Sequence, residues 1–258
     1  MFVPLGLLCI LSMSCDTLIR WAIIGCGDVC RVKSGPAFTS DISSLKVIMR
    51  RSPKEAQEMA EHLETDFTVD KDEAMNPDRV NAVYIATPPS SHVDMSLDAL
   101  ARGHHVYVEK PLASNLADGI RLVDAVMHNN KSKVVVAHYR RALPSFLRVK
   151  ELIDRGKIGK VRSAHISTHL GSPDDKLPDS SLCDWHLNPS ISGGGRFHDL
   201  SPHQLDFLMW MFGRPVSCSG TSIKQVYTDP RAGDDTTSGI MVLKEDNTQQ
   251  QVVVTGSW

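Results

Sequence analysis

Short apolar runs alternate with longer amphipathic stretches through the first half of the chain. The runs are rich in β-branched residues and lack polar alternation, as strands buried on both faces of a sheet require. The longer stretches carry apolar residues at helical spacing. This alternation predicts parallel strands joined by right-handed helical crossovers, the doubly wound α/β architecture. The predicted strands span residues 18–24, 45–49, 82–86, 105–108 and 133–137, and the predicted helices span 53–63, 91–101 and 114–128.

The pattern changes after residue 140. Strands that follow one another in sequence predict an α+β domain with an open, mostly antiparallel sheet. The final run stops at Trp258 without a turn, so we expect this domain to be incomplete. A polar loop at 171–189 is a candidate lining for a site. The predicted helices are 144–155 and 201–212, and the predicted strands are 161–170, 216–226, 237–243 and 250–257.

Length and composition agree with two domains, which we place at residues 18–140 and 141–258. A chain of 258 residues exceeds the usual size of one core, and 41% hydrophobic residues suffice to build two. The net charge is −2, and no run of lysine or arginine stands out. Electrostatics therefore gives no support for a protein that binds nucleic acid or a membrane surface.

An apolar leader, residues 1–17, is excluded from the fold. Its apolar run is shorter than the ~20 residues that span a bilayer, so we expect no membrane span. It resembles the core of a secretory signal, but no lysine or arginine precedes Arg20. A secreted form and an extension of a cytoplasmic protein both stay open, and we favour the cytoplasm.

The six cysteines predict neither a disulfide framework nor a metal site. Cys26 and Cys30 resemble half of a metal site, but no second pair has ligand spacing. A chain this long with so few cysteines is not typical of a disulfide scaffold. We expect reduced, mostly buried thiols and no bound metal.

A glycine-containing loop follows the first predicted strand and precedes a helix. Gly25 allows a tight turn, and Gly27 lets the backbone approach a pyrophosphate. Cys30 stands where a third glycine is usual, and we expect it to push helix and strand slightly apart. This context favours a dinucleotide-binding loop. Its predicted cofactor-binding residues are Gly25, Cys26, Gly27, Asp28 and Val29.

The end of the second strand bears on which dinucleotide is bound. An acidic residue there would bond the ribose hydroxyls of NAD, but this chain has Arg50 and Arg51. Guanidinium groups pair with a 2′-phosphate, which a carboxylate would repel. We therefore predict NADP(H), with NAD(H) as the second choice.

The first catalytic candidate follows the strand at 105–108. Glu109-Lys110-Pro111 stands at the carboxyl end of a parallel strand, where ligands bind in open α/β sheets. Lys110 can donate a hydrogen bond to a substrate hydroxyl and stabilise a developing alkoxide. A cis peptide before Pro111 is expected to aim this lysine.

The second candidate is the polar start of the helix at 201–212. One interpretation makes Ser201 the N-cap and Pro202 the first helical residue, with Asp199 just before the cap. The other begins the helix near Gly195, which places Asp199 and His203 four residues apart on one face but puts Pro202 inside the helix. In both, a neutral His203 can accept a hydroxyl proton.

Five ordered segments resemble the Gfo/Idh/MocA family, named for glucose–fructose oxidoreductase and inositol dehydrogenase. The resemblance runs from about Arg20 to Trp258. The segments are GCGDV (25–29), YIATPPSSH (84–92), YVEKPL (107–112), AHYRR (137–141) and GGGRFHDLSPHQLD (193–206).

The resemblance implies an N-terminal Rossmann domain and a C-terminal domain built on an open sheet. It implies that Lys110 lies beside the reacting carbon, that Asp199 is the acid and that His203 relays the proton. Family substrates are sugars, inositols, related polyols and dihydrodiols, and the later strands of the second sheet often form a homo-oligomer interface. The resemblance places Thr87, Pro88, His92 and Glu109 along the cofactor, and Tyr139, Arg140 and Trp185 near the nicotinamide or substrate.

We therefore expect an NADP(H)-dependent oxidoreductase acting on a secondary alcohol of a sugar, inositol or cyclic polyol. Lys110 and the Asp199–His203 pair are expected to meet over one nicotinamide ring. The alternative is a sensor that binds the cofactor without turnover. Retention of lysine, aspartate and histidine together favours the enzyme, because a sensor has no need of a proton relay.

Overall fold

A computed structural model describes residues 18–27, 29–129, 131–169, 185–226, 230–246 and 250–258. The leader at 1–17, Asp28 and most of the polar loop at 171–189 lie outside the described residues. The chain divides into two compact units, the first ending at Tyr139 and the second beginning at Arg140.

A parallel sheet organises the first unit. Within its described residues, six strands lie in the order β3-β2-β1-β4-β5-β6. β1 pairs in parallel with β2 on one side and with β4 on the other, which confirms the doubly wound prediction. The strands are β1 (Ile19–Ile24), β2 (Ser43–Met49), β3 (Asp66–Thr68), β4 (Ala82–Ile85), β5 (His105–Val108) and β6 (Val134–Val136).

Both faces of this sheet are buried, as its uninterrupted apolar runs require. Alternate residues of β1 point to opposite faces, so Trp21 and Ile23 belong to one hydrophobic cluster. Ala22 and Ile24 belong to the cluster on the other face. All four side chains are fully buried.

Helices cover the sheet at nearly the predicted positions. Ser52 caps α1 by accepting a hydrogen bond from the Glu55 N–H, and Asn115 caps α4 by accepting one from Asp118. Two further elements, β3 and α2, are short and largely polar and were not predicted from the sequence. The helices are α1 (Pro53–Leu63), α2 (Lys71–Ala74), α3 (His92–Ala101) and α4 (Leu116–His128).

A mixed sheet organises the second unit, as predicted. Its strands lie in the order β7-β10-β9-β8. β10 pairs parallel with β7 and antiparallel with β9, which in turn pairs antiparallel with β8. The strands are β7 (Ser163–Ser167), β8 (Arg214–Ile223), β9 (Thr236–Lys244) and β10 (Gln251–Ser257), and the helices are α5 (Pro144–Asp154), α6 (Pro189–Ser192) and α7 (Arg196–Phe212).

The start of α7 corrects one of the two interpretations of the sequence. The helix begins at Arg196, so Ser201 is not its N-cap, and Pro202 lies inside the helix. A tertiary contact sets this start, because the Arg196 N–H donates to the Asp234 carbonyl at 3.0 Å. A Cβ on Gly195 would lie 1.8 Å from the same oxygen, so only glycine fits there.

The other end of α7 anchors it to the mixed sheet. Leu208 and Phe212 pack against Leu243, Val252 and Val254 in the core of this unit. Among the residues that the structure describes, no helix combines the length and apolarity needed to cross a bilayer.

Candidate active site

The carboxyl ends of adjacent parallel strands bring most of the predicted cofactor residues to one edge of the first sheet. The Ala86 N–H donates to the Ile24 carbonyl, and the Glu109 N–H donates to the Ile85 carbonyl, each at 2.9 Å. These bonds align the ends of β1, β4 and β5. The strand order changes direction between β1 and β4, the position at which open α/β sheets bind ligands.

The loop after β1 has two glycines with different requirements. Gly25 has a φ of +79°, and a Cβ there would lie 2.4 Å from Thr87 Cγ2, so neither its backbone nor its surroundings accept a side chain. Among the residues that the structure describes, a Cβ on Gly27 would come within 4.0 Å of the Gly25 carbonyl oxygen alone. The backbone at Gly27 therefore faces open space, which fits the close approach of a pyrophosphate.

Cys26 and Cys30 form a buried thiol pair beside this loop. The hydrogen bond that Cys26 shares with Cys30, together with burial, raises the pKa of the Cys26 thiol. Cys30 begins a π-helix (Cys30–Ser34), which continues as a 3₁₀ helix (Gly35–Phe38). A π-helix has a wider turn than an α-helix, and this one begins at Cys30, where we expected the side chain to push helix and strand apart.

Arg50 directly follows β2 and has an acidic partner. Its guanidinium lies 2.7 Å from a carboxylate oxygen of Glu55, in the first turn of α1. The sequence did not predict this acid, because a carboxylate is expected at the strand end, whereas Glu55 lies in the first turn of the following helix. Arg51, the second predicted phosphate ligand, is exposed.

Glu109 directly precedes the predicted catalytic lysine and accepts two hydrogen bonds. The Tyr84 hydroxyl donates to Glu109 Oε1 at 2.6 Å, and Glu109 Oε2 accepts the Lys110 N–H at 3.2 Å. Burial raises the pKa of the Glu109 carboxyl, against the opposing effect of the Tyr84 hydrogen bond. The Lys110–Pro111 peptide is cis, as predicted.

His92 lies differently from the other cofactor residues. Its side chain is 1% exposed. Nε2 lies 2.7 Å from the Thr87 carbonyl oxygen, and Nδ1 lies 2.8 Å from the Pro111 carbonyl oxygen. Both ring nitrogens therefore face backbone, and neither is directed at a ligand.

In the second unit, α7 carries the other catalytic candidates. Asp199 lies in the first turn and His203 one turn later, so the two share a face of the helix. His203 is 8% exposed.

Two side chains of α7, Asp206 and Gln204, hold the helix in place by bonding to three residues outside it, Arg141, Thr168 and Trp258. The sequence pattern assigned a role in the site to none of these five residues. The Arg141 guanidinium binds the Asp206 carboxylate through two nitrogens, with Nε donating to Oδ2 at 2.8 Å. Gln204 donates to the Thr168 hydroxyl at 2.6 Å and accepts a hydrogen bond from the Trp258 indole. Arg141 and Asp206 lie in two of the family-like segments, 137–141 and 193–206. Opposite charges in those two segments are the sequence feature from which this ion pair could have been predicted.

The remaining predicted site residues lie in several different elements. Val29 is largely exposed, and Pro88 follows β4. Tyr139 and Arg140 lie in a 3₁₀ helix (Tyr139–Ala142), and Trp185 stacks on His186 with ring centroids 3.6 Å apart. Asp28 lies outside the described residues. Within the described part of the chain, no group of three or more histidine, cysteine or acidic side chains could hold a metal ion.

Two family models match the two units. Residues 19–138 match an oxidoreductase family with an NAD-binding Rossmann fold. Residues 146–258 match the Gfo/Idh/MocA C-terminal domain. The two matches belong to the same family and follow its domain order.

Known proteins agree with this match. Oxidoreductase P35 of Formosa agariphila is 42% identical over 212 residues, which cover 81% of this chain and 65% of that protein. Levoglucosan dehydrogenase of Pseudarthrobacter phenanthrenivorans is 30% identical over 169 residues, covering 65% of this chain and 42% of that protein. The chain thus spans less than two thirds of the length of either relative.

A solved structure shares the fold. The WlbA dehydrogenase from Bordetella pertussis, crystallised with NADH and UDP-GlcNAcA, matches with a TM-score of 0.79. The sequences are 21% identical, and the match covers 94% of this chain and 67% of that one.

Proposed function

This chain belongs to the Gfo/Idh/MocA family of oxidoreductases, and on that premise we propose that it is an NADP(H)-dependent dehydrogenase. Its substrate is a secondary alcohol, or the corresponding ketone, of a sugar, an inositol or a related cyclic polyol. The dehydrogenase named for levoglucosan supports this substrate class, since it is similar to this chain.

The observation that carries the proposal is the carboxyl edge of the parallel sheet. The open backbone at Gly27 follows β1, which lies at the switch in strand order. The lysine turn at Lys110 follows β5, the strand next to β4 on the other side of the switch. The loop from Gly25 to Val29 would hold the pyrophosphate, and Arg50 with Arg51 would hold the 2′-phosphate. Thr87, Pro88 and Glu109 would line the rest of the dinucleotide.

The bound nicotinamide would supply the hydride acceptor or donor. In the direction of oxidation, His203 accepts the proton of the substrate hydroxyl. Lys110 donates a hydrogen bond to the same oxygen and stabilises its negative charge. Asp199, one helical turn before His203, orients the imidazole. Tyr139, Arg140 and Trp185 are proposed to contact the substrate.

The test is NADPH absorbance at constant enzyme against a panel of sugars, inositols and dihydrodiols. We expect turnover of at least one compound, and a loss of about 100-fold or more in Lys110→Ala and His203→Ala. Lys157→Ala and His165→Ala, which alter exposed residues of the same types, serve as controls. Full turnover in either site variant would contradict the mechanism, and NADPH binding without turnover of any compound would indicate a sensor.

A further inference from the structure

The His92 ring bridges two turns at the carboxyl edge of the parallel sheet. One turn follows β4 and contains Thr87, and the other follows β5 and contains Pro111. The carbonyl oxygens of these two residues lie 2.7 and 2.8 Å from the two ring nitrogens. The Ser96 hydroxyl donates to the His92 carbonyl at 2.6 Å, one turn along α3. His92 is therefore held in the space between the turns.

The two turns that His92 joins are the neighbours of the predicted cofactor loop and the predicted lysine. Thr87 packs directly on Gly25, because a Cβ there would lie 2.9 Å from the backbone nitrogen of Thr87. Pro111 is the residue after Lys110. A continuous series of contacts thus runs from Gly25 through Thr87 and His92 to the lysine turn.

We propose that His92 is a positioning residue that couples the glycine loop to the lysine turn, and that it does so without directing either ring nitrogen at the cofactor. The proposal rests on the function proposed above, because the coupled parts are the proposed dinucleotide loop and the proposed catalytic lysine. It differs from the role implied by family resemblance, in which His92 lies along the cofactor.

The protonation of the ring determines how the two carbonyls are held. A neutral imidazole has one N–H and donates to one carbonyl, whereas the imidazolium donates to both. Burial lowers the pKa of His92, the two carbonyl contacts raise it, and the positive charge of Lys110 lowers it further. In either form a ring nitrogen donates to at least one of the two carbonyls, so a ring without nitrogens no longer links the two turns.

Hydrogen–deuterium exchange tests the coupling without any substrate. His92→Phe keeps a ring of similar size but removes both nitrogens. We expect amide exchange to become about tenfold faster in peptides covering both residues 86–92 and residues 109–114. His104→Phe is the matched control, because His104 is equally buried and its Nε2 contacts the Met75 carbonyl oxygen at 2.8 Å. The control should leave both peptides unchanged.

Kinetics tests the consequence for the lysine. With a substrate found in the panel, His92→Phe should lower kcat about tenfold or more, whereas His104→Phe should stay within about twofold at a similar loss of Tm. If His92→Phe does not fold, His92→Gln carries the exchange test, since its amide can donate to one carbonyl and exchange should then rise in at least one turn.

Two results would overturn the proposal. One is unchanged exchange in both turns of the His92 variant, and the other is a loss of kcat that His104→Phe reproduces. Because the exchange measurement needs neither cofactor nor substrate, a failure of the proposed function leaves this readout intact.

Discussion

Arg50 directly follows β2, and its guanidinium lies 2.7 Å from the Glu55 carboxylate, a contact that bears on the choice of dinucleotide. The Glu55 side chain is 53% exposed, so the ion pair contributes at most about 1 kcal/mol. A 2′-phosphate carries more charge and more acceptor oxygens than Glu55, and would compete for the same guanidinium. The acid is therefore expected to reduce NADP(H) affinity without abolishing the preference.

We predict that Arg50→Asp weakens NADPH binding by about 10- to 100-fold, since a charge-assisted contact is worth about 1.5–3 kcal/mol. NADH binding should not weaken, because an acid at this position can bond the ribose hydroxyls. Glu55→Gln should strengthen NADPH binding by a few-fold at most. Titration of intrinsic fluorescence with each cofactor measures both constants. Arg121→Asp, an exposed site with the same change in net charge, is the control. An unchanged ratio of NADPH to NADH affinity in Arg50→Asp would refute the assignment.

At the scale of one element, the two glycines of the loop after β1 have different roles. Gly25 is required for folding, and Gly27 is proposed to be required for cofactor binding. Gly25 combines a positive φ with a close approach to Thr87. Gly27 has neither, and its backbone borders open space. Gly103, in the turn between α3 and β5, has a φ of +85° with nothing within 4 Å of an added Cβ. The three glycines therefore form a series that differs in backbone strain and in the space available for a side chain.

The series predicts three different outcomes for substitution by alanine. Gly103→Ala should lower the free energy of unfolding by about 1 kcal/mol from backbone strain alone. Gly25→Ala should lower it by about 3 kcal/mol or more, because the added Cβ also collides with Thr87. Gly27→Ala should leave it within about 0.5 kcal/mol, yet weaken NADPH binding about tenfold or more.

Urea unfolding and NADPH titration of the three variants provide the measurements. Gly103→Ala is the control for backbone strain, because it lies away from the proposed cofactor loop. Normal NADPH affinity in Gly27→Ala would show that the backbone at this residue does not approach the dinucleotide. A Gly25→Ala protein as stable as Gly103→Ala would show that the contact with Thr87 is not restrictive.

At the scale of the whole molecule, the first unit buries histidines whose protonation opposes folding. Burial lowers the pKa of His92, His104 and His105. Their folded pKa values lie below the unfolded value of about 6.5, so below that pH the unfolded state binds more protons. The free energy of unfolding therefore falls as the pH decreases from about 6.5. Acidic groups act in a different pH range. The lowered pKa of Asp98 makes the free energy of unfolding fall only as the pH drops below about 4.

We predict that His104→Phe is less sensitive to acid than the parent protein. Between the unfolded and folded pKa values, each buried histidine contributes a slope of about 1.4 kcal/mol per pH unit. Replacing His104 should remove one such slope from urea-unfolding curves measured between about pH 5 and pH 7. Comparison of the two proteins cancels the other titrating groups, among them Glu109, whose raised pKa acts in the opposite sense. Parallel pH profiles would contradict this account.

The sequence by itself determined the architecture of both units, because burial imposes periodicity on local segments. Apolar runs without alternation identified β1, β4 and β5, and the turns after β1 and β5 marked Gly25 and Lys110 as candidate site residues. Parallel strands align their carboxyl ends whatever the details of packing, so this part of the candidate site follows from local patterns alone. The place of Thr87 along the cofactor was implied by the family resemblance.

The tertiary structure decided the features that depend on contacts between distant segments. The start of α7 is set by the Asp234 carbonyl, 38 residues beyond Arg196, which overrides the capping signal at Ser201. The partner of Arg50 lies on the following helix, and the two partners of His92 lie on separate turns. Local spacing carries no information about such pairs, because they form only when the folded chain brings their backbones together.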